Sequence, residues 1–79
     1  MTKAEMAELR RRILEVLELA IAARAPLSII EPLGSAAGML EALADVPRHE
    51  FVIGVETKAN DALVAWGLWD AKHGSKATA

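Results

Sequence analysis

The chain has 79 residues, a formal net charge of −2 and no cysteine. That length fits a single domain with a modest core, and the missing cysteine excludes a disulfide framework, a thiolate metal site and a cysteine nucleophile. The weak negative charge makes nucleic acid an unlikely partner, because phosphate neutralisation asks for a clear positive balance.

From the N-terminus, Thr2-Lys3-Ala4-Glu5 reads as a capping box, with Met1 and Met6 at the positions of a hydrophobic staple. A helix is expected from about Lys3 to Ala25. Met6, Leu9, Ile13, Val16, Leu17 and Ala20 form its apolar stripe, and Glu8 and Arg12 stand at a favourable i,i+4 spacing. Arg10 interrupts the stripe. It reads either as a snorkelling side chain or as an interface arginine that meets a carboxylate or an anionic ligand. Arg24, near the helix end, suits the helix dipole.

Ala25-Pro26 is expected to stop the helix, since the residue before proline is pushed out of the helical region. Residues 26–34 read as an irregular or single-turn connector, with Pro32 opposing a helix there. A short helix is expected from Ser35, as N-cap, to Ala44. Gly34 and Gly38 have a spacing that permits close backbone approach. Asp45-Val46-Pro47 reads as a turn, with Pro47 opening the next helix.

The strongest pattern covers Arg48 to His73. Val52, Val55, Ala59, Ala62, Trp66 and Trp69 recur at spacings of 3, 4, 3, 4 and 3, which places them on one helical stripe widened by Leu63. Ile53, Val64 and Leu68 fall on the opposite side, around Thr57. A helix apolar on two sides is normally covered on two sides, by the other helices of the chain or by a second subunit. Gly74 reads as a helix stop and residues 75–79 as a disordered tail, which leaves 1–74 as one helical domain.

A rival reading takes 51–55 as a buried strand, since Phe51-Val52-Ile53-Gly54-Val55 is aromatic and β-branched, and 27–30 as its parallel partner. Two strands are marginal alone, so that α/β fold completes its sheet by dimerisation.

The search for chemistry is brief. Asp70-x-x-His73 offers two metal ligands where a site needs three or four, and His49 adds no cluster. Ser28 and Ser35 read as caps, and Thr57 and Asp61 as a solvated polar face, so neither a catalytic constellation nor a cofactor motif stands out. The run Arg10-Arg11-Arg12 is surrounded by Glu5, Glu8, Glu15 and Glu18, which points to pairing within the helix. The longest apolar runs fall short of the roughly 20 residues a membrane span needs. With no signal-peptide pattern at the charged N-terminus, a cytoplasmic location without a membrane partner is expected.

Thr57-Lys58-Ala59-Asn60-Asp61-Ala62, followed by Trp66, resembles the last helix of small phage proteins that sequester cyclic oligonucleotide signals. The resemblance covers residues 57–66. It implies a helical oligomer that holds its ligand between subunits and carries over no binding residue; it sharpens an alternative in which an oligomer binds an anionic nucleotide and Arg10, Lys58 or Arg48 meets phosphate.

The expected fold is all-α: three helices, two long and one short, self-associating. The expected function is non-enzymatic, an interaction module or small inhibitor that acts through apolar helix faces, with Arg10, Ile53, Val64, Leu68, Trp66 and Trp69 at the interface. Its partners are a second copy and another protein. An oligomeric nucleotide-binding protein and a nucleic-acid-binding regulator are the alternatives.

Overall fold

The computed structural model describes residues 2–45 and 49–78. Three helices follow in order: α1, Lys3–Ala22; α2, Leu27–Asp45; and α3, His49–Thr78. The all-α expectation holds. Both segments weighed as strands are helical, 27–30 in α2 and 51–55 in α3, and no strand occurs among the described residues. Of the turn expected over Asp45-Val46-Pro47, Asp45 is the last residue of α2, and Val46 and Pro47 lie outside the described residues.

The capping box forms as expected. The Glu5 amide donates to the Thr2 hydroxyl at 3.1 Å and the Thr2 amide donates to the Glu5 carboxylate at 2.8 Å. On the same helix Arg11, rather than Arg12, pairs with Glu8, and it also reaches Glu15. The helix ends at Ala22, three residues before the proline-based estimate. The reason is local. Arg24 adopts a left-handed backbone with φ of 56°, its amide donates to the Ile21 carbonyl at 3.0 Å, and the Ala25 amide donates to Ala20 at 3.0 Å. These are the two hydrogen bonds of a Schellman motif. Ala25, the residue after the reversal, is buried along with Ala20.

The connector expected over 26–34 is instead the first part of α2. The helix begins at once after Pro26, whose carbonyl accepts the Ile29 and Ile30 amides at 2.9 and 3.1 Å. Ser35 is therefore not a cap but a mid-helix residue, and Pro32 sits inside the helix. Proline costs roughly 3 kcal/mol in a helix interior. Continuing the helix through it aligns Ile29 and Leu33 with Ala36, Ala37, Leu40 and Leu43, all buried. Fully burying one such Ile or Leu side chain contributes about 1.5–3 kcal/mol, so two of them offset the proline. The third helix is also longer than expected. It passes through Gly74 to Thr78, so the stop expected at that glycine is not seen. A glycine stops a helix where it turns to positive φ, and no described glycine does so.

The chain reverses direction twice, so α2 packs antiparallel between α1 and α3. The core is made by Met6, Ile13 and Ala20 of α1, the six α2 residues, and Val52, Ala59 and Ala62 of α3. By length and composition alone α2 is apolar enough to cross a membrane; in this fold it is the central helix and supplies the largest share of the core. The molecule measures 44 × 17 × 17 Å. A 30-residue helix is about 45 Å long, so α3 alone accounts for the long axis and its C-terminal end outruns the shorter α1–α2 pair.

Candidate functional site

The two apolar sides of α3 meet different fates. The inner stripe packs as its spacing predicts: Val52, Ala59 and Ala62 are buried, while Val55, Leu63, Trp66 and Trp69 lie half-buried against the core. The outer side is left open. Ile53 is 57% exposed, Val64 61% and Leu68 67%. The possibility that α1 covers one side of α3 and α2 the other is thereby corrected: both helices lie against the inner stripe.

The outer face is more apolar than its composition suggests. The Thr57 hydroxyl donates back to the Ile53 carbonyl at 3.0 Å. That bond occupies the only polar group of the side chain within its own helix, so the sector from Ile53 to Val64 is interrupted only at Asn60, in its middle, and by Asp61 at its edge. Along that edge runs a groove between α2 and α3, of about 460 Å³. Its floor is apolar, with Pro32, Ala36, Ala62 and Ala65; Ser28, Glu31, Ser35, Lys58 and Asp61 form the rim. Leu27, 72% exposed, closes one end. On the other flank a shallower cleft of about 360 Å³ is lined by Glu5, Glu8, Leu9, Arg12, Glu56 and Asn60.

The remaining candidate residues are placed elsewhere. Arg10 is engaged within the chain: a guanidinium nitrogen lies 3.4 Å from Glu41 across the α1–α2 seam, with both side chains substantially exposed. Such a pair is worth at most about 1 kcal/mol. Its Nε is buried without a hydrogen-bond partner, consistent with a stem laid over apolar surface and a head directed outward. Arg10 and Lys58 therefore border different seams, α1–α2 and α2–α3, and do not converge on one anion. Arg48 lies outside the described residues.

Trp66 and Trp69 stack with centroids 5.8 Å apart, and His73 stacks on Trp69 at 4.5 Å. The Nδ1–H of His73 donates to the Trp69 carbonyl oxygen at 3.0 Å. The imidazole is thus turned along the helix toward the tryptophans rather than paired with Asp70, and no group of three or more metal-ligating side chains occurs among the described residues. Gly34 and Gly38 do not serve close packing, since a β-carbon at either would meet nothing within 4 Å.

Sequence reasoning identified Ile53, Val64 and Leu68 but missed Leu27 and the α2–α3 groove. With 26–34 read as a connector, no helix wall stood there to form a groove. The sequence signal that would have found it is the i, i+4, i+7 register of Ile29, Leu33 and Ala36, which runs straight through Pro32. Compared with known proteins, the chain matches no protein-family model, no curated protein and no solved structure.

Proposed function

We propose that this protein is a non-enzymatic interaction module, of the kind that acts as a small inhibitor or adaptor by laying the outer face of α3 on a protein surface. One observation carries the reading. Ile53, Val64 and Leu68 lie on one face of a single helix, each more than half exposed, beside a groove whose floor is apolar and whose rim is polar. Soluble helices direct one stripe inward and solvate the other; a second apolar stripe bordered by charged groups is the pattern of a helix-docking surface.

The test compares the wild-type chain with Leu68→Glu. Light scattering on a sizing column, over a hundredfold range of concentration, reads association between copies; chemical cross-linking in a cell extract reads association with another protein. The expected result is an association that Leu68→Glu abolishes while helix content, and the melting temperature at a dilution where the wild type is also unassociated, are kept. A Leu68→Glu chain that associates as the wild type does would overturn the reading. The competing functions have their own signatures. A nucleotide-binding oligomer melts at higher temperature as free cyclic oligonucleotide exceeds its dissociation constant, and a nucleic-acid binder loses affinity steeply with salt.

A further inference from the structure

We infer that the occupant of the outer α3 face is the same face of a second copy, with the two α3 helices antiparallel and crossing between Lys58 and Asp61. The inference rests on the interaction-module reading and names the partner for that surface.

The exposed side of α3 is its own complement when read backwards. In chain order it presents Glu50, then Ile53, then Lys58, Asp61, then Val64 and Leu68, then Lys72, all of them exposed. In an antiparallel pair that crosses between Lys58 and Asp61, each residue meets the one equally distant on the other side of the crossing. Lys58 then faces Asp61 of the second copy, and Asp61 faces its Lys58. Ile53 seats between Val64 and Leu68 of the second copy, one turn apart. Glu50 comes within reach of the second copy's Lys72. Every contact occurs twice, as a two-fold axis requires, and each of these four charges meets its opposite. A parallel pair would set Glu50, Lys58, Asp61 and Lys72 each against its own kind, and like charges across an interface select against that arrangement.

Three features of the fold fit this geometry. Neither Lys58 nor Asp61 has an ion pair with a described residue, so both carry unspent charge at the rim of the groove. The sixteen residues from Ile53 to Leu68 rise about 22 Å, and on their outer side Ile53, Val64 and Leu68 are each more than half exposed. Asn60 stands near the crossing, where a polar side chain in an apolar seam fixes register and the number of helices at some loss of stability. Leu27 and the α2–α3 groove flank the seam on the side of Lys58 and Asp61, so the second helix also shields that edge.

Two experiments on the full chain test the arrangement. In the first, Lys58→Glu and Asp61→Lys are made separately. Each single variant is expected to weaken self-association at least tenfold, because both copies then carry one sign at the crossing; mixing them in equal amounts is expected to restore a dimer, now of unlike chains. Pairing between residues 58 and 61 within one helix cannot produce that rescue. In the second, the absence of native cysteine lets single thiols report distance. A mixture of Ile53→Cys and Leu68→Cys chains is expected to form a mixed disulfide dimer on oxidation, while either variant alone does not, since like positions lie about 20 Å apart along an antiparallel pair. A chain that is monomeric throughout the concentration range overturns the second copy as occupant. A dimer that Leu68→Glu dissolves, but in which Ile53→Cys chains link to one another or the charge variants fail to rescue, overturns the antiparallel arrangement while the interaction-module reading stands.

Discussion

The two sides of α3 have nearly the same chemistry and opposite surroundings. Val52, Ala59 and Ala62 are buried; Ile53, Val64 and Leu68, a few residues away on the same helix, are mostly exposed. The buried side has the smaller residues. Alanine at 59 and 62 lets α2 approach closely, and the larger volume sits with Trp66 and Trp69 near the end of the core. The open side has the larger aliphatic groups. Apolar character alone therefore does not say which stripe of a helix is core. What decides is where the neighbouring helices fit, and here two helices are available and both take the same side.

The largest expected effect contrasts the two sides directly. Ala59 has no exposed surface, so Ala59→Asp places an unpaired charge in the core, and a loss on the order of 3–5 kcal/mol of folding stability is expected. Val64→Asp is expected to change the stability of the single chain by no more than about 0.5 kcal/mol, because the site is solvated. Urea denaturation of both at low protein concentration checks the pair. Equal losses would mean that the outer face is packed after all.

Next come substitutions that remove backbone cost without touching either stripe. Arg24 adopts the left-handed conformation at the end of α1, and Arg24→Gly is expected to stabilise the chain by about 1 kcal/mol. Gly34 and Gly38 lie within α2 with open space where a β-carbon would stand. Gly34→Ala and Gly38→Ala are each expected to raise stability by about 0.5–1 kcal/mol, read as an increase in melting temperature. These variants sharpen the comparison by raising the stability of the bundle while leaving association through α3 as it was. A loss of association in Gly34→Ala or Gly38→Ala would place a partner on α2 instead.

The smallest effect belongs to the start of α1. The Thr2 backbone amide, donating to the Glu5 carboxylate, holds its pKa below the ordinary 4.5, and the Thr2 hydroxyl adds to this. The Glu8 carboxylate is held down by its hydrogen bond from Arg11. A carboxylate with a lowered folded-state pKa contributes stability that is fully present above its unfolded value and is lost as pH falls through the lowered one. A slight fall in melting temperature is therefore expected below about pH 4.5, and Glu5→Ala and Glu8→Ala should each flatten it, as a thermal melt at several pH values would show. Both carboxylates are exposed, so the change is small, and it should leave α3-mediated association unaltered.

Part of this fold was legible in the residues and part was not. The capping box at Thr2 and Glu5, the stripe of α1 and the inner stripe of α3 follow from hydrogen-bond geometry and helical periodicity acting over a few turns, and each appears as read. The apolar character of Ile53, Val64 and Leu68 was legible too. The N-terminal half of α2 was not legible. A local rule against proline in helices outweighed the longer register of Ile29, Leu33 and Ala36, and only their burial between α1 and α3 supplies the free energy that reverses the balance. The end of α1 was set by the Schellman hydrogen bonds through Arg24, a residue type that does not announce a left-handed turn. By itself, the sequence determined the start and stripe of the first helix and that the last helix, once formed, is apolar on two sides, because both follow from side-chain spacing along one helix; that 27–30 and 51–55 are helix and not strand came from the structure. Which of those sides became the core and which became surface was decided by the tertiary structure alone, because burial depends on where two distant helices come to rest.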